Sequence, residues 1–315
     1  MILLTHERQW RGGETVVAFG MFDGVHEGHA QLMRKANELA ALHDLKSVVY
    51  TFSSHPMATY APEKTPPQLE TRSEKIRSIA QLGIDAAVLR PFDRAYAAQS
   101  PEAFVQAFVD ALHPKHVVIG FNYSFGRMGA GKAEDMRRLT SAIAALPAQV
   151  EQILSNREQI QYYASQYFNH DSVFFIGRNL DYALGMEGSL KLKEISYIHS
   201  EAYASGELKH GTISLIEPGT LVVALGSYTP LFDKAMSNVI EVKARGASVL
   251  ALATESHRAE MESRVDGILT IPDTELMFLP LLGVVPLQLF AYYVALQRGC
   301  DIDKPRNLAK SVTVE

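Results

Sequence analysis

The stretch GMFDGVHEGH at residues 20–29 constrains the fold of this chain more than any other sequence feature. It follows the apolar run VVAF at 16–19, which predicts a strand, and precedes a helix-like segment at about 31–42. A glycine-rich turn between a strand and a helix directs backbone N–H groups and the helix N-terminus towards a phosphate. The stretch therefore predicts an α/β fold with an anion-binding loop near its start.

Two histidines three residues apart, His26 and His29, stand where this helix begins. Imidazoles there can hydrogen-bond phosphate oxygens, and an imidazolium stabilises the charge that develops during phosphoryl or nucleotidyl transfer. The alternative is a plain turn with two surface histidines. Small residues, an acid and two histidines coincide within ten positions, which favours the phosphate site.

Composition limits the other classes of function. The 315 residues are enough for two domains, and a net charge of -5 without a Lys/Arg run gives no electrostatic basis for binding nucleic acid. The single cysteine, Cys300, excludes an internal disulfide and a Cys-based zinc cluster, and we predict no metal site. The start MILLTHERQW has no signal-peptide pattern, so we expect a cytoplasmic protein.

The apolar segment at 276–296 is long enough to cross a bilayer. Pro280, Gly283, Pro286 and Gln288 interrupt it. We therefore predict a buried loop followed by a core helix from about Pro286 to Gln297, because proline is well tolerated in a first helical turn.

The first half alternates strands with helices, which predicts a parallel sheet covered by helices on both faces. Ligands bind such sheets at the carboxyl ends of the strands. Notable residues follow three of the predicted strands, in the segments 20–29, 55–56 and 120–126. The predicted strands are 16–19, 47–52, 86–89 and 117–120, and the predicted helices after the first are 72–82 and 101–112.

Residues 14 to about 139 resemble the adenylyltransferase module of the bacterial riboflavin kinase/FAD synthetase family. The matching segments are GMFDGVHEGH at 20–29, TFSSHP at 51–56, LETRSEKIRSIAQLGID at 69–85, FDRAYAAQSPEAFV at 92–105 and VIGFNYSFGRMGAGK at 118–132. The resemblance implies a Rossmann-like HxGH nucleotidyltransferase domain that uses ATP and FMN with Mg²⁺ and produces FAD and pyrophosphate.

The resemblance also implies roles for particular residues. His26 and His29 would hold the ATP phosphates, on the HxGH pattern that includes Gly28. Asp23 has a competing role as a turn residue that binds backbone amides, and His55 before Pro56 is equally consistent with an ordinary loop histidine. The residues expected to shape the adenine and phosphate pocket or lie beside it are Gly20, Phe22, Asp23, Gly24, His55 and Asn122.

The family pattern stops within this chain. The family continues with a Ser-Ser-Thr-x-Ile-Arg segment that supports ATP phosphates and then a riboflavin-kinase barrel, and neither occurs here. We therefore place a seam between residues 139 and 147, with an adenylyltransferase-like domain at 1–140 and a second domain at 141–315.

The second half again alternates helices and strands, which predicts another doubly wound parallel sheet of the flavodoxin-like kind. We predict one long helix at 147–168. Residues 142–315 resemble the last sugar isomerase (SIS) lobe and tail of the glutamine–fructose-6-phosphate aminotransferase family. The segments that carry the resemblance are FFIGRNLDYALGMEGSLKLKEISYIHSEAYASGELKHG at 174–211 and VPLQLFAYYVALQRGCDIDKPRNLAKSVTVE at 285–315.

Helical spacing lets Glu187, Lys191 and Glu194 share one face. Aldose–ketose isomerisation needs a carboxylate that moves a proton between C1 and C2. The resemblance assigns that base to Glu194, sugar-ring opening to His210 and a Schiff base to Lys310, with Lys191 among the catalytic group. Glu187 and Arg306 would support the site, although a solvated ion-pair face also explains Glu187.

The family's phosphate-gripping Ser/Thr-rich loop and its glutaminase cysteine have no counterpart here, so we expect no glutamine hydrolysis. Three hypotheses remain: an FMN adenylyltransferase with an appended SIS lobe, an aminotransferase/isomerase fragment that binds fructose 6-phosphate, and a non-catalytic fusion. The two halves share no pathway that the sequence reveals, which is typical of a chimera. An SIS lobe without its partner lobe also predicts a homodimer.

Overall fold

The computed structural model describes residues 1–306 and divides into two compact units, Met1–Ser141 and Ala142–Glu315. Each unit contains a five-stranded sheet whose paired strands are parallel, with helices packed against it. The predicted fold class, two parallel-sheet α/β domains, is confirmed. The boundary between the units falls within the helix Ala133–Ser155.

The sheet of the first unit has the strand order β1-β4-β3-β2-β5, and a short antiparallel pair, β6 and β7, follows it. The order reverses beside β2, so the carboxyl ends of β2 and β5 lie next to each other at a topological switch point. The strands are β1 Ile2–Leu4, β2 Thr15–Phe19, β3 Lys46–Phe52, β4 Ala86–Arg90, β5 Pro114–Val118, β6 Ser124–Phe125 and β7 Gly131–Lys132. The helices are α1 Glu27–His43, α2 Met57–Tyr60, α3 Arg72–Gln81, α4 Arg94–Ala97, α5 Pro101–Leu112 and α6 Ala133–Ser155.

Alternation along β2 explains how this sheet is covered on both faces. Val16 and Ala18 pack in a core with Met33 of α1 and Ile79 of α3. The next side chain, Phe19, points to the opposite face and packs edge-on against Phe108 of α5, with ring centroids 4.9 Å apart. Every residue of β2 is buried, as expected for a central parallel strand.

The sheet of the second unit has the order β12-β11-β10-β8-β9, in which β8 and β10 flank the switch point. Its strands are β8 Ser172–Gly177, β9 His199–Ala204, β10 Leu221–Gly226, β11 Ser248–Thr254 and β12 Gly267–Ile271. Its helices are α7 Arg157–Tyr167, α8 Leu180–Ser196, α9 Phe232–Lys243, α10 Arg258–Glu262 and α11 Leu279–Gln297.

Two helix predictions placed the helix start wrongly, because proline is tolerated inside these helices. Pro147 lies within α6, which begins at Ala133, and the predicted single helix is also divided at Asn156, just before α7. Pro286 is a buried interior residue of α11, which starts seven residues earlier at Leu279. Packing compensates for the backbone hydrogen bond that an interior proline removes, since α11 packs against α7 and α8.

Within residues 1–306, one segment, Leu276–Gln297, has the length and composition of a membrane span, with a mean hydropathy of 1.8. Half of its most apolar window is buried inside the protein. Leu282, Phe290 and Val294 of this segment belong to the core of the second unit. The segment therefore serves as a core helix of this domain.

Candidate functional site

A cavity of about 1040 Å³ opens at the carboxyl edge of the first sheet. Four chain segments line it, and each follows the end of a different strand: β2, β3, β4 or β5. The three segments singled out in the sequence are among these four. The predicted residues that line the cavity are Gly20, His26, Gly28, His29, His55 and Asn122.

The two histidines meet at the N-terminus of α1. His26 is the N-cap, and its Nδ1 accepts the backbone N–H of His29 at 3.4 Å. The two imidazole rings stack with centroids 3.7 Å apart and an angle of 20° between their planes. Gly28 lies between them, and a Cβ there would approach His26 Cε1 to 3.2 Å, so glycine leaves room for the ring.

His29 is half-buried, and this burial lowers its pKa below the usual 6.5. The neighbouring His26 and Lys75 lower the pKa further, because a second positive charge there is repelled. The Gly24 carbonyl and Asp23 oppose this effect. His29 is consequently a neutral ring near pH 7 that a bound anion would bring towards protonation.

Three predicted residues shape the loop from outside the cavity. Phe22 is fully buried with a φ of 47°, and Gly24 has a φ of 61°, a left-handed conformation that favours glycine. The Asp23 carboxylate accepts backbone N–H groups of Leu69 at 3.1 Å and Glu70 at 3.3 Å. Asp23 thus has the amide-binding role that the sequence left open, although its partners lie far along the chain.

His55 and Asn122 reach the same cavity from the loops after β3 and β5. His55 Nδ1 accepts the backbone N–H of Met57 at 3.1 Å, so this ring also orders the start of α2. The other ring nitrogen remains available to a ligand. Phe121, beside Asn122, is 97% exposed and stands on the rim of the cavity.

An aromatic wall that sequence reasoning missed covers one side of the cavity. Its residues include Tyr50, Phe52, Phe92, Tyr96 and Tyr123. Strand and loop aromatics read as ordinary core residues in a sequence, so periodicity alone carries no signal for this wall. Such a surface suits the stacking of a planar ring.

The wall rests on a buried polar network. The Tyr50 hydroxyl donates to Glu7 Oε2 at 3.1 Å, and Arg90 Nε lies 3.6 Å from the same oxygen. Burial, together with Glu7, raises the pKa of Tyr50, and burial likewise raises that of Tyr96. Both tyrosines therefore keep their protons and act as neutral hydrogen-bonding groups.

Lys75 is a second feature that the sequence did not reveal. This α3 lysine is 3% exposed, and its Nζ donates to the carbonyls of Met21 at 2.8 Å and Phe52 at 3.3 Å. Burial lowers its pKa, whereas Asp23 and Glu70 raise it. A lysine at this position in an amphipathic helix gives no indication of such a role.

The second unit brings three predicted residues together on α8. Lys191 Nζ lies 2.9 Å from Glu194 Oε2 and 3.5 Å from Glu187 Oε1. The hydrogen bond that Lys191 donates to Glu194 is the main cause that raises the pKa of Lys191. Lys191 is therefore a protonated ammonium between two carboxylates.

The other predicted residues of this unit lie apart or outside the described chain. His210 has a largely exposed side chain whose Nε2 lies 3.7 Å from Glu207 Oε2. Arg306 stacks its guanidinium 4.1 Å above the ring of Tyr197, the C-cap of α8. The structure thus brings Arg306 to the C-terminal end of the helix that carries Glu194. Lys310 lies outside the described residues.

Asp181 occupies the switch point between β8 and β10. Its buried carboxylate accepts the backbone N–H groups of Ser227 at 3.0 Å and Tyr228 at 2.9 Å, and also the Ser227 hydroxyl. Burial raises its pKa, against these hydrogen bonds. The loop amides that could receive a ligand's anion are hydrogen-bonded to the chain's own carboxylate.

Within residues 1–306, no group of three or more His, Cys, Asp or Glu side chains is arranged to hold a metal ion. The donor set around the cavity is mainly aromatic and imidazole, whereas Mg²⁺ prefers carboxylate and phosphate oxygens. The described residues therefore do not fit a protein-held Mg²⁺.

Family models match both parts of the chain. A model described as FAD synthetase matches residues 8–163, and one described as SIS domain matches residues 166–298. The chain contains an FAD synthetase domain followed by an SIS domain, as the resemblances indicated. The FAD synthetase match extends past residue 141, where the first compact unit ends.

Curated relatives match a large part of the chain. A protein named glutamine–fructose-6-phosphate aminotransferase [isomerizing] from Caldanaerobacter subterraneus subsp. tengcongensis is 53% identical over 199 residues, which are 63% of this chain and 32% of that protein. Its namesake from Thermus thermophilus is 45% identical and covers 61% of this chain and 32% of that protein. The chain spans about a third of the length of these relatives.

Among solved structures, the C-terminal domain of glucosamine-fructose-6-phosphate aminotransferase from Francisella tularensis is similar with a TM-score of 0.53 and 22% identity. The similarity covers 93% of this chain and 86% of that one. At this identity the likeness supports the α/β fold.

Proposed function

We propose that the FAD synthetase domain transfers the adenylyl group of ATP to FMN. The observation that carries the proposal is the stacked pair His26 and His29 at the N-terminus of α1, inside a cavity of about 1040 Å³ with an aromatic wall. Helix N-termini and imidazolium groups favour phosphates, and aromatic rings favour a planar base or flavin. The volume is at the upper end of small-molecule sites.

The reaction needs little covalent chemistry from the protein. A phosphate oxygen of FMN attacks the α-phosphorus of ATP, the new O–P bond forms, and the bond to the β-phosphate breaks. Pyrophosphate leaves with the bonding electron pair. His26, His29 and the first amides of α1 would hold the phosphates and stabilise the charge that builds on them, so catalysis is mainly positioning and electrostatics.

The direct test incubates the full chain with FMN, ATP and Mg²⁺ and measures FAD and pyrophosphate by chromatography. His29→Ala should lower the rate at least about tenfold, because it removes a hydrogen bond to a charged group. His43→Ala is the matched control, since His43 lies at the other end of α1 and also stacks on an imidazole, that of His116. Wild-type protein without FAD formation would contradict the proposal.

A second candidate is isomerisation of a sugar phosphate by the SIS domain, and the contact between Glu194 and Lys191 favours it. Glu194 would move a proton between C1 and C2 of fructose 6-phosphate, as the relatives' printed name suggests. His210 would open the ring and Lys310 would form the Schiff base. The missing phosphate-gripping loop and the carboxylate of Asp181 argue against efficient turnover.

Fructose 6-phosphate with ammonia tests this candidate through the formation of glucosamine 6-phosphate. Glu194→Gln should abolish product, and Glu262→Gln, on the exposed face of α10, should leave it unchanged. If neither assay yields product, calorimetric titration with ATP and with fructose 6-phosphate distinguishes a non-catalytic binding fusion from a chain that binds neither ligand.

We also propose a cytoplasmic chain that pairs with a second copy through its SIS domain. Apolar side chains on two neighbouring helices support the pairing, because monomers rarely leave such surface open to water. These exposed side chains are Met186 and Leu190 of α8 and Leu281, Tyr292 and Leu296 of α11.

A further inference from the structure

The buried ammonium of Lys75 lies beneath the two loops that carry the candidate histidines. Met21 belongs to the loop 20–29, which presents His26 and His29, and Phe52 is the last residue of β3, three positions before His55. One cation therefore links the ends of two neighbouring strands. Burying a lysine is unfavourable unless hydrogen bonds and opposite charges compensate for the lost hydration.

The hydrogen-bond partners of Lys75 indicate that its role differs from a simple ion pair. The two acceptors are backbone carbonyls, although Asp23 and Glu70 are close enough to influence its pKa. A buried lysine with a purely neutralising role would instead bond a carboxylate directly. Hydrogen bonds to carbonyls fix the backbone path, because each carbonyl accepts only along restricted directions.

The Met21 carbonyl is held from two sides. It accepts the Thr51 hydroxyl at 2.8 Å in addition to the Lys75 ammonium at 2.8 Å. The next residue, Phe22, has the left-handed φ of 47°, a conformation that costs energy outside glycine. Two donors on the preceding carbonyl stabilise this turn, which directs the chain towards His26.

A second link ties the same loop to the start of α3. Asp23 accepts the amides of Leu69 and Glu70, just before Thr71 caps the helix that carries Lys75. The loop 20–29 is therefore attached to α3 once through Asp23 and once through Lys75. With two attachments and a buried Phe22 between them, the path of this loop is set before any ligand arrives.

We propose that Lys75 is a positioning residue of the nucleotide site, which holds the loop 20–29 and the end of β3 in the arrangement that directs His26 and His29 into the cavity. This role rests on the proposed function, since the ligand is taken to be a nucleotide phosphate. Lys75 does not line the cavity and acts through the backbone and through its charge. Its charge also adds to the effects of burial and of His26, which lower the pKa of His29.

Two variants separate geometry from charge. Lys75→Met removes both hydrogen bonds and the charge, and its unbranched side chain is only one heavy atom shorter than that of lysine. Lys75→Arg keeps the charge but replaces the compact ammonium with a longer, planar guanidinium. Its N–H groups are not placed to donate to both the Met21 and the Phe52 carbonyls. Lys115→Met, which removes an exposed lysine paired with Glu14, is the control.

ATP affinity with Mg²⁺ is measured by calorimetry, and the pKa of the His29 ring is measured by NMR titration of the full chain without nucleotide. Lys75→Met should weaken ATP binding about tenfold and raise the pKa of His29. Lys75→Arg should weaken ATP binding about threefold and leave the pKa of His29 at the wild-type value, because the positive charge remains. Lys115→Met should match the wild type in both measurements.

Wild-type ATP affinity in a folded Lys75→Met or Lys75→Arg variant would overturn the proposal. If Lys75→Met does not fold, Lys75→Arg decides alone, because a residue that served stability only would leave ATP affinity unchanged. If wild-type protein binds no ATP, the nucleotide function fails, and the His29 and His26 ring signals of the variants still report whether Lys75 positions these side chains.

Discussion

The His29 side chain is partly buried, lies beside other positive groups and still reaches the cavity. Its ring stacks on His26, meets the edge of Phe22 at a centroid distance of 5.2 Å, and lines the cavity. Because its pKa is lowered, the unfolded chain takes up a proton at higher pH than the folded chain. The contribution of His29 to folding stability is therefore present above about pH 6.5 and is lost as the pH falls towards the folded pKa.

Nucleotide binding should reverse this preference for the neutral ring. A triphosphate stabilises the protonated imidazole, so ATP binding should take up protons and tighten as the pH falls from about 8 to about 6. Calorimetry in buffers of different ionisation enthalpy, with Mg²⁺ in excess, measures both the affinity and the proton uptake. His29→Gln should bind ATP weakly and lose most of the pH dependence, whereas His43→Gln should retain it. An affinity that does not vary with pH would refute this linkage.

The carboxylate of Asp181 decides whether the loop after β10 can bind an anion. It already accepts hydrogen bonds from the Ser227 and Tyr228 amides and from the Ser227 hydroxyl. Asp181→Ala should expose these donors, so inorganic phosphate should bind the variant more tightly than the wild type by about tenfold or more. Phosphate titration followed by NMR shifts of the Ser227 and Tyr228 amides measures this effect. Unchanged amide shifts in the folded variant would contradict it.

At the scale of elements, close approach between a strand end and a helix decides where glycine is needed. Gly177 ends β8, and a Cβ there would lie 2.5 Å from the Asp181 carbonyl carbon in the first turn of α8. Gly185, inside α8, is different, because its nearest neighbour is the Leu225 Cδ1 methyl at 3.3 Å. The two glycines of one domain thus have separate physical roles.

Alanine at these two positions tests the difference. Gly177→Ala should lower the free energy of unfolding of the SIS domain by about 2 kcal/mol or more, because backbone atoms have to move. Gly185→Ala should change it by less than about 1 kcal/mol, since better helix propensity offsets a tight methyl contact. Urea denaturation followed by circular dichroism compares them. Equal effects of the two substitutions would show that the contact of Gly177 with the Asp181 backbone does not determine the loss of stability.

At the scale of the whole molecule, the chain joins an FAD synthetase domain to an SIS domain. The first domain has a well-defined cavity with paired histidines, whereas the second has an ion pair between Lys191 and Glu194 and a switch-point loop whose amides already bind Asp181. Nucleotide chemistry is therefore better supported than sugar chemistry. The apolar side chains exposed on α8 and α11 form the surface through which we propose that two copies pair.

Light scattering of the full chain should give the mass of a dimer at micromolar concentration, because burying these side chains is favourable. The double variant Leu281→Glu, Leu296→Glu should be a monomer, and Lys234→Glu should remain a dimer, since Lys234 is exposed on α9, outside the apolar patch. A wild-type monomer would contradict the proposed pairing.

The local elements and the loop 20–29 could be predicted from the sequence alone. The bounds of α5 followed from the predicted helix at 101–112, and the loop 20–29 followed from a strand, glycines and two histidines. Such features depend on short-range hydrogen bonds and backbone sterics, which neighbouring residues fix. Long, specific motifs in the sequence also indicated both families.

The contacts between distant segments could not be predicted from the sequence, because they depend on how the elements pack. Lys75 reaches Met21 and Phe52 because α3 packs beside two strand ends, and Asp181 reaches Ser227 across the switch point. The helical course of α11 through Pro286 likewise depends on packing against α8. The hydrogen bonds of Lys75 and Asp181 join residues 23 to 54 positions apart along the chain. Unlike local propensity, such packing between distant segments leaves no pattern in a short stretch of sequence.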